Sequence, residues 1–224
     1  MKFDLLLRLN AARRERRAAI VITDLAGGDS RLIVEGEDYA ADPLAGPIAR
    51  RFASGVSGIE PGTGELLVVH APAIRLIVIG AVHITQALVP MAKLAGLEIT
   101  VVDPRAGFAS PERFPDARLI PEWPQDALPR LTIDRFTALA ALSHVPDIDD
   151  EALQLALRAG CFYVGSLGSR TSHARRLDRL AAAGFNEADL ARIHAPIGLA
   201  IGAHSPAEIA VAILAEIIAE LRRS

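Results

Sequence analysis

From residue 75 onward, apolar runs of strand length alternate with stretches whose apolar positions recur at helical spacing. "RLIVIG" (75–80) is followed by "ITQALVPMAKLAG" (84–96), then by "EITVVD" (98–103), "ARLIPE" (117–122) and "FTALAAL" (136–142). The helical pattern "DDEALQLALRAG" (149–160), the run "CFYVG" (161–165) and the helical pattern "SHARRLDRLAAAG" (172–184) continue the rhythm. Continuous rather than alternating apolar runs belong to strands buried on both faces. The alternation therefore predicts a parallel sheet joined by right-handed crossovers, with helices on both faces. Pro90 falls inside the first of these helical patterns, so that helix bends there or starts late.

The stretch before residue 72 has a different character, rich in Gly and Asp, and reads as a helix, two short strands and a helix. The chain thus divides near "HAPAIRL", predicting a small α+β N-terminal domain at 1–72 and a larger α/β domain at 73–224. No repeat of fixed period and no low-complexity tract interrupts either part.

The last helix has the clearest start. In "HSPAEIAVAILAEIIAELRR", Ser205 caps, Pro206 takes the first helical position, Glu208 completes a Ser-x-x-Glu box, and basic residues close the helix. Ile209, Ile213 and Ile217 form one apolar stripe with Ala210, Leu214 and Ile218 beside it. Such a helix lies deep in the core or is shared with a second copy of the chain, and a homodimer is one expectation.

Composition narrows the function classes. A net charge of −3 and ten aromatic residues (seven Phe, two Tyr, one Trp) argue against a nucleic-acid partner. No run is long and apolar enough for a membrane span and the N-terminus lacks a secretory cleavage pattern, so a cytoplasmic location is expected. "RRERR" (13–17) reads as the wet face of a helix. Cys161 is the single cysteine, which leaves no thiolate cluster for a metal, and it reads as a small core residue in a buried strand. The six histidines show no metal-binding spacing, so no metal site is expected.

In parallel sheets, ligands gather outside the carboxyl ends of the strands, where helix N-termini present unpaired N–H groups. Four segments converge there. The first, "VIGAVHITQAL" (78–88), is a Rossmann-like turn in which Val82 replaces the glycine that lets a pyrophosphate approach the backbone, with His83 just inside the helix start. In the second, Asp103 lies 23 residues past Gly80 (103 minus 80), where a ribose-binding acid is expected. The third, "YVGSLGSRTSHARRL", puts Gly165 and Gly168 in a tight loop, with Ser169 as a cap and Arg170 beside a helix dipole, a natural seat for an anion. The fourth is the Gly- and Pro-containing loop "RIHAPIGLAIGAHSP".

Together these stretches resemble the XdhC/CoxI family, the xanthine dehydrogenase accessory proteins. "RLIVIGAVHITQAL" is similar to the family's strand–Gly-Ala-Gly-His–helix opening, "VVDPRAGFASPERFP" to its Asp-Pro-Arg segment, "YVGSLGSRTSHARRL" to its Gly-Ser-Arg loop, and the stretch from "ARIHAPIG" into the last helix to its C-terminal signature. The resemblance covers residues 65 to 224. It implies a Rossmann-like domain that binds the molybdenum cofactor (molybdopterin) as cargo, protects it and hands it to a molybdenum hydroxylase, with a sulfur-donating desulfurase as a further partner. The matching positions, implied as cofactor-binding, are Gly80, Ala81, His83, Asp103, Arg105, His144, Gly165, Ser166, Gly168, Ser169 and Arg170; no catalytic residue is implied. Two departures stand out. Val82 replaces the family's second glycine, and the first domain lacks the Gly-Ser-x-Pro-Arg and Gly-Gly-Cys-x-Glu segments, which leaves sulfur transfer without an evident cysteine. The competing expectations are an NAD(P)-dependent oxidoreductase on the same sheet, which would need the pyrophosphate to pass Val82, and a nucleotide-sensing interaction module.

Overall fold

The computed structural model describes residues 3–223, which form two compact units divided between Pro72 and Ala73. The first holds α1 (Phe3–Arg14), β1 (Ala19–Asp24), β2 (Ser30–Val34), α2 (Ala45–Ser54), β3 (Gly58–Ile59) and β4 (Glu65–His70), with an antiparallel sheet ordered β2-β1-β4-β3. Two of these strands, β3 and β4, are additions to the pattern read from the sequence. The apolar run of β1 is continuous because both its faces are covered: Ala19 and Val21 pack with Leu5 and Leu9 of α1, while Ile20 and Ile22 pack with Leu44, Ile48 and Leu67. Helix α1 stops at Arg14, so only the first half of "RRERR" is helical.

The second unit runs β5 (Arg75–Ile79), α3 (His83–Leu94), β6 (Glu98–Val102), β7 (Arg118–Ile120), α4 (Pro124–Leu131), β8 (Thr137–Ala141), α5 (Pro146–Arg158), β9 (Tyr163–Ser166), α6 (Arg170–Ala182), α7 (Glu187–Leu190), β10 (Ile193–His194) and α8 (Pro206–Arg223). Its six strands are all parallel, in the order β10-β9-β8-β5-β6-β7. From β5 the chain proceeds outward to β6 and β7, then returns to place β8, β9 and β10 on the other side. This is the doubly wound Rossmann order, and its switch point lies between β5 and β8.

Alternate strand residues feed two cores. Leu76, Val78, Val101, Ala138 and Ala140 face α3 and α8, whereas Ile77, Ile79, Val102, Leu139 and Ala141 face α4, α5 and α6. Ile213 and Ile217 of α8 are completely buried in the first core, while Val211 and Ile218 remain on its outer side. The stripe foreseen on this helix is thus divided between core and solvent. Pro90 lies within α3 at an exposed position, and the helix runs through it from His83 to Leu94 rather than starting late. Cys161 is buried, as expected of a core thiol, but it precedes β9 rather than lying in it, and burial pushes its thiol up to about 12. Among the described residues no helix is long and apolar enough to cross a membrane, and no group of His, Cys, Asp and Glu has the arrangement to hold a metal ion.

Candidate functional site

The turn after β5 is fixed by hydrogen bonds at every step. Gly80 has φ +107°, and a Cβ there would sit 2.7 Å from the Ser143 nitrogen, so the turn lies directly on the chain leaving β8. Thr85, completely buried, donates from its hydroxyl to the Gly80 carbonyl at 2.6 Å. Thr85 occupies the third glycine position of the Gly-x-Gly-x-x-Gly pattern, as Val82 occupies the second. The Ala81 amide donates to Asp103 Oδ2 at 2.7 Å, and Arg113 Nη1 donates to the Ala81 carbonyl at 3.0 Å. Val82 is the N-cap of α3 and offers no side-chain cap to the first-turn amides, and His83 beside it is exposed.

Asp103, at the end of β6, is completely buried. Its Oδ1 accepts from the Arg105 amide and from Arg105 Nε, both at 2.9 Å, and its Oδ2 accepts from Ala81 and from Arg105 Nη2 at 2.7 Å. Burial works against ionisation, but the hydrogen bonds from Arg105 and Ala81 outweigh it and hold the carboxyl below its ordinary value. The Arg105 guanidinium is about one third exposed and lies 4.7 Å from the Phe108 ring centroid, a cation–π contact.

At the end of β8, the buried Asp149 from the first turn of α5 folds back on the preceding turn. It accepts from Ser143 Oγ at 2.7 Å, from the Ser143 amide at 3.2 Å and from the His144 amide at 3.1 Å. His144 is thereby held at φ +61° with its ring on the exposed side. Burial pushes the Asp149 carboxyl up, an effect only partly offset by these hydrogen bonds and by the charge of Arg176. Sequence reading passed over Asp149. Its signal was the acidic first turn after Val145-Pro146, which reads equally well as ordinary helix-dipole compensation.

In the loop between β9 and α6 the serine cap and the Gly168 turn form as the sequence suggests, whereas Gly165 lies within β9 and not in the loop. Ser169 caps α6 by accepting from the Ser172 amide at 3.2 Å, and Gly168 (φ +146°) lies where a Cβ would strike Ser172 Oγ at 2.5 Å. Arg170 and Ser169 are exposed at the helix start. Gly165 serves packing, since a Cβ there would meet Ile197 at 2.6 Å and the Tyr163 hydroxyl at 2.7 Å. Beneath the loop lies a polar layer that sequence reading missed. Arg176, 5% exposed, donates from Nη2 to the Leu167 carbonyl and pairs with Asp150 at 3.4 Å. The buried side-chain atoms without a hydrogen-bond partner among the described residues are Asp150 Oδ1, Ser166 Oγ, His173 Nδ1, and Arg176 Nε and Nη1. All belong to α5, the end of β9 or α6. Burial, then the charge of Arg176, lowers the basicity of His173. The available signal was an arginine four residues before Leu180 on the inward stripe of α6.

The fourth loop adds β10 to the sheet edge and then packs on α8. Glu216 Oε2 accepts from the Tyr163 hydroxyl at 2.6 Å and from the Gly198 amide at 2.8 Å, and His194, stacked on Tyr163 at 4.7 Å, lies 3.4 Å from Glu216 Oε1. This fixes the segment rather than opening it to a ligand. Of the residues implied by resemblance, His83, Arg105, His144, Ser169 and Arg170 present groups toward solvent at the carboxyl edge. Gly80, Ala81, Asp103, Gly165 and Ser166 are buried in its foundation, and Gly168 shapes the loop.

These features define a Rossmann-type α/β domain whose loops at the carboxyl edge are hydrogen-bonded in place, cationic at one helix start and modified at two of the three fingerprint glycines. Residues 76–217 match the XdhC Rossmann domain family, and the chain belongs to it. It is 34% identical over 178 residues to the Escherichia coli protein YqeB, which is described as uncharacterized, a match spanning 77% of this chain and 32% of that one. Over 153 residues it is 31% identical to a probable xanthine dehydrogenase subunit of Bacillus subtilis (68% of this chain, 44% of that one). Over 171 residues it is 27% identical to the molybdenum cofactor insertion chaperone PaoD of Escherichia coli (76% and 45%). The matches span a third to just under half of these relatives' length. A crystal structure described as a xanthine dehydrogenase from Bacillus halodurans shares the fold with a TM-score of 0.68 at 24% identity, covering 97% of this chain and 64% of that one.

Proposed function

We propose that this protein binds the molybdenum cofactor at the carboxyl edge of its parallel sheet, stabilises it and delivers it to a molybdenum hydroxylase such as xanthine dehydrogenase, with a desulfurase as a second partner. The observation that carries this reading is the β9–α6 loop with its underlying layer. A capped helix N-terminus, the exposed Arg170 and buried polar atoms without a hydrogen-bond partner, Ser166 Oγ, His173 Nδ1 and Arg176 Nη1, occur together beside the Arg176–Asp150 ion pair, and buried polar groups in folded proteins are otherwise nearly always hydrogen-bonded. The phosphate of the pterin suits this loop. His83 and His144, exposed on the neighbouring turns, suit its polar ring edge and the oxo groups of the metal. The name of one relative, a molybdenum cofactor insertion chaperone, supports the same cargo, and that of another, a probable xanthine dehydrogenase subunit, supports the target enzyme. The proposed carrier acts in the cytoplasm as a homodimer joined through the outer face of α8, and its role is insertion rather than catalysis.

Purification from a cell that makes molybdenum enzymes tests the reading. We expect oxidised extracts of the protein to show the fluorescence of released pterin in near-stoichiometric amount, and extracts of a strain unable to make the pterin to lack it. Protein that carries no pterin from the first strain would overturn the proposal.

A further inference from the structure

Asp103 stands where a Rossmann fold places the acid that holds a ribose, at the end of the second strand of the winding and 23 residues past the first glycine (103 minus 80). That acid works by accepting hydrogen bonds from the vicinal hydroxyls of the sugar. Here both carboxylate oxygens are already engaged by the Arg105 side chain, Nε on one at 2.9 Å and Nη2 on the other at 2.7 Å. A guanidinium fork and a ribose diol present the same pattern, two parallel donors aimed at the two oxygens of one carboxylate. With the amides of Ala81 and Arg105 added, Asp103 accepts four hydrogen bonds, which is the acceptor capacity of a carboxylate. The guanidinium is charged and the diol is neutral, so the internal occupant makes the stronger bonds. It is also tethered two residues away, at no cost in association entropy.

We infer that Arg105 is a built-in occupant of the ribose seat, a specificity-determining residue that excludes ligands needing a ribose diol at this position. It acts separately from the substitution at Val82, which concerns the pyrophosphate. The inference holds for any cargo carried at the β9–α6 loop, because it concerns only what the β5–β6 side of the sheet refuses.

The test uses the full chain and NAD as the probe. In a Val82→Gly background, where the backbone is open to a pyrophosphate, titration calorimetry should show at most weak NAD binding. Adding Arg105→Ala should tighten it at least tenfold, and adding Asp103→Asn to that pair should return it to the starting level. A folded Val82→Gly/Arg105→Ala protein that binds NAD no better than Val82→Gly would overturn the inference. A measurement on the unaltered protein covers the case in which Arg105→Ala fails to fold. The Arg105 Nε–H resonance should be protected from exchange and unmoved by millimolar NAD, and its displacement by NAD would show that the diol takes the seat.

Discussion

The backbone of Ser143 lies so close to Gly80 that a Cβ on the glycine would sit 2.7 Å from the Ser143 nitrogen and 2.8 Å from its Cα. The turns leaving β5 and β8 therefore meet at the switch point of the sheet, and the glycine is required there by contact as well as by its φ of +107°. Gly80→Ala should cost about 1–3 kcal/mol for the backbone conformation and a similar amount for overpacking. Chemical denaturation should show a lowered midpoint with an unchanged slope, and a variant as stable as the parent would mean that the two turns separate freely.

Asp149 should make stability depend on pH in a recognisable sense. Its folded-state pKa is raised by burial above the ordinary 3.8, so the folded protein binds the proton more tightly than the unfolded chain. Its contribution is then complete below 3.8 and is lost as pH rises through the folded-state value. Asp103, held below 3.8, works in the opposite sense, its contribution being lost as pH falls. Denaturation of the parent and of Asp149→Asn over a pH series isolates the first effect. The stability advantage of the parent over the variant should shrink as pH rises from about 4, and a constant difference would contradict the assignment.

Arg170 and Arg176 should separate binding from folding. Arg170 is exposed at the start of α6, so Arg170→Ala should leave stability within about 0.5 kcal/mol while weakening cofactor binding at least tenfold, through the loss of charge-assisted bonds worth roughly 1.5–3 kcal/mol each. Arg176 is buried against Asp150, and removing one partner of a buried pair costs about 3–5 kcal/mol. Melting curves and titrations of both variants decide it. Unchanged affinity in a folded Arg170→Ala protein would place the phosphate elsewhere.

The altered fingerprint should appear as ligand preference. With Val82 and Thr85 in two glycine positions and Asp103 engaged by Arg105, molybdopterin-type cofactor should bind at least tenfold more tightly than NAD or NADP, a gap of about 1.4 kcal/mol. Titration calorimetry measures both, and equal or tighter binding of a nicotinamide dinucleotide would favour an oxidoreductase.

The outer face of α8 should carry self-association. Ile213 and Ile217 are spent in the core, which leaves Val211, 48% exposed, and Ile218, 38% exposed, for a partner. Light scattering should report a dimer at tens of micromolar that dissociates on Val211→Asp/Ile218→Asp. A monomeric parent would show that burial on the inner side accounts for the whole stripe.

Local pattern determined most of the second unit. Continuous apolar runs marked β5, β6, β8 and β9 because strands buried on both faces need no polar side, and side-chain caps marked the starts of α6 and α8, where Ser169 and the Ser205–Glu208 box make the hydrogen bonds their spacing foretells. Short elements escaped it: β3 and β10 have two residues each, too few for any period to register. At the site, the sequence showed which chemical groups reach the carboxyl edge, but it could not assign their partners. Asp103 read as a ribose acid because its place in the chain fits one. Its actual role follows from an Arg105 rotamer and from the amide of Ala81, 22 residues away, and only chain packing sets those. Asp149 and Arg176 drew no notice in the sequence, and it is the sheet and its neighbouring helices that enclose them. A carboxylate or guanidinium takes its function from what desolvates it and what it meets there, and both are properties of the folded chain.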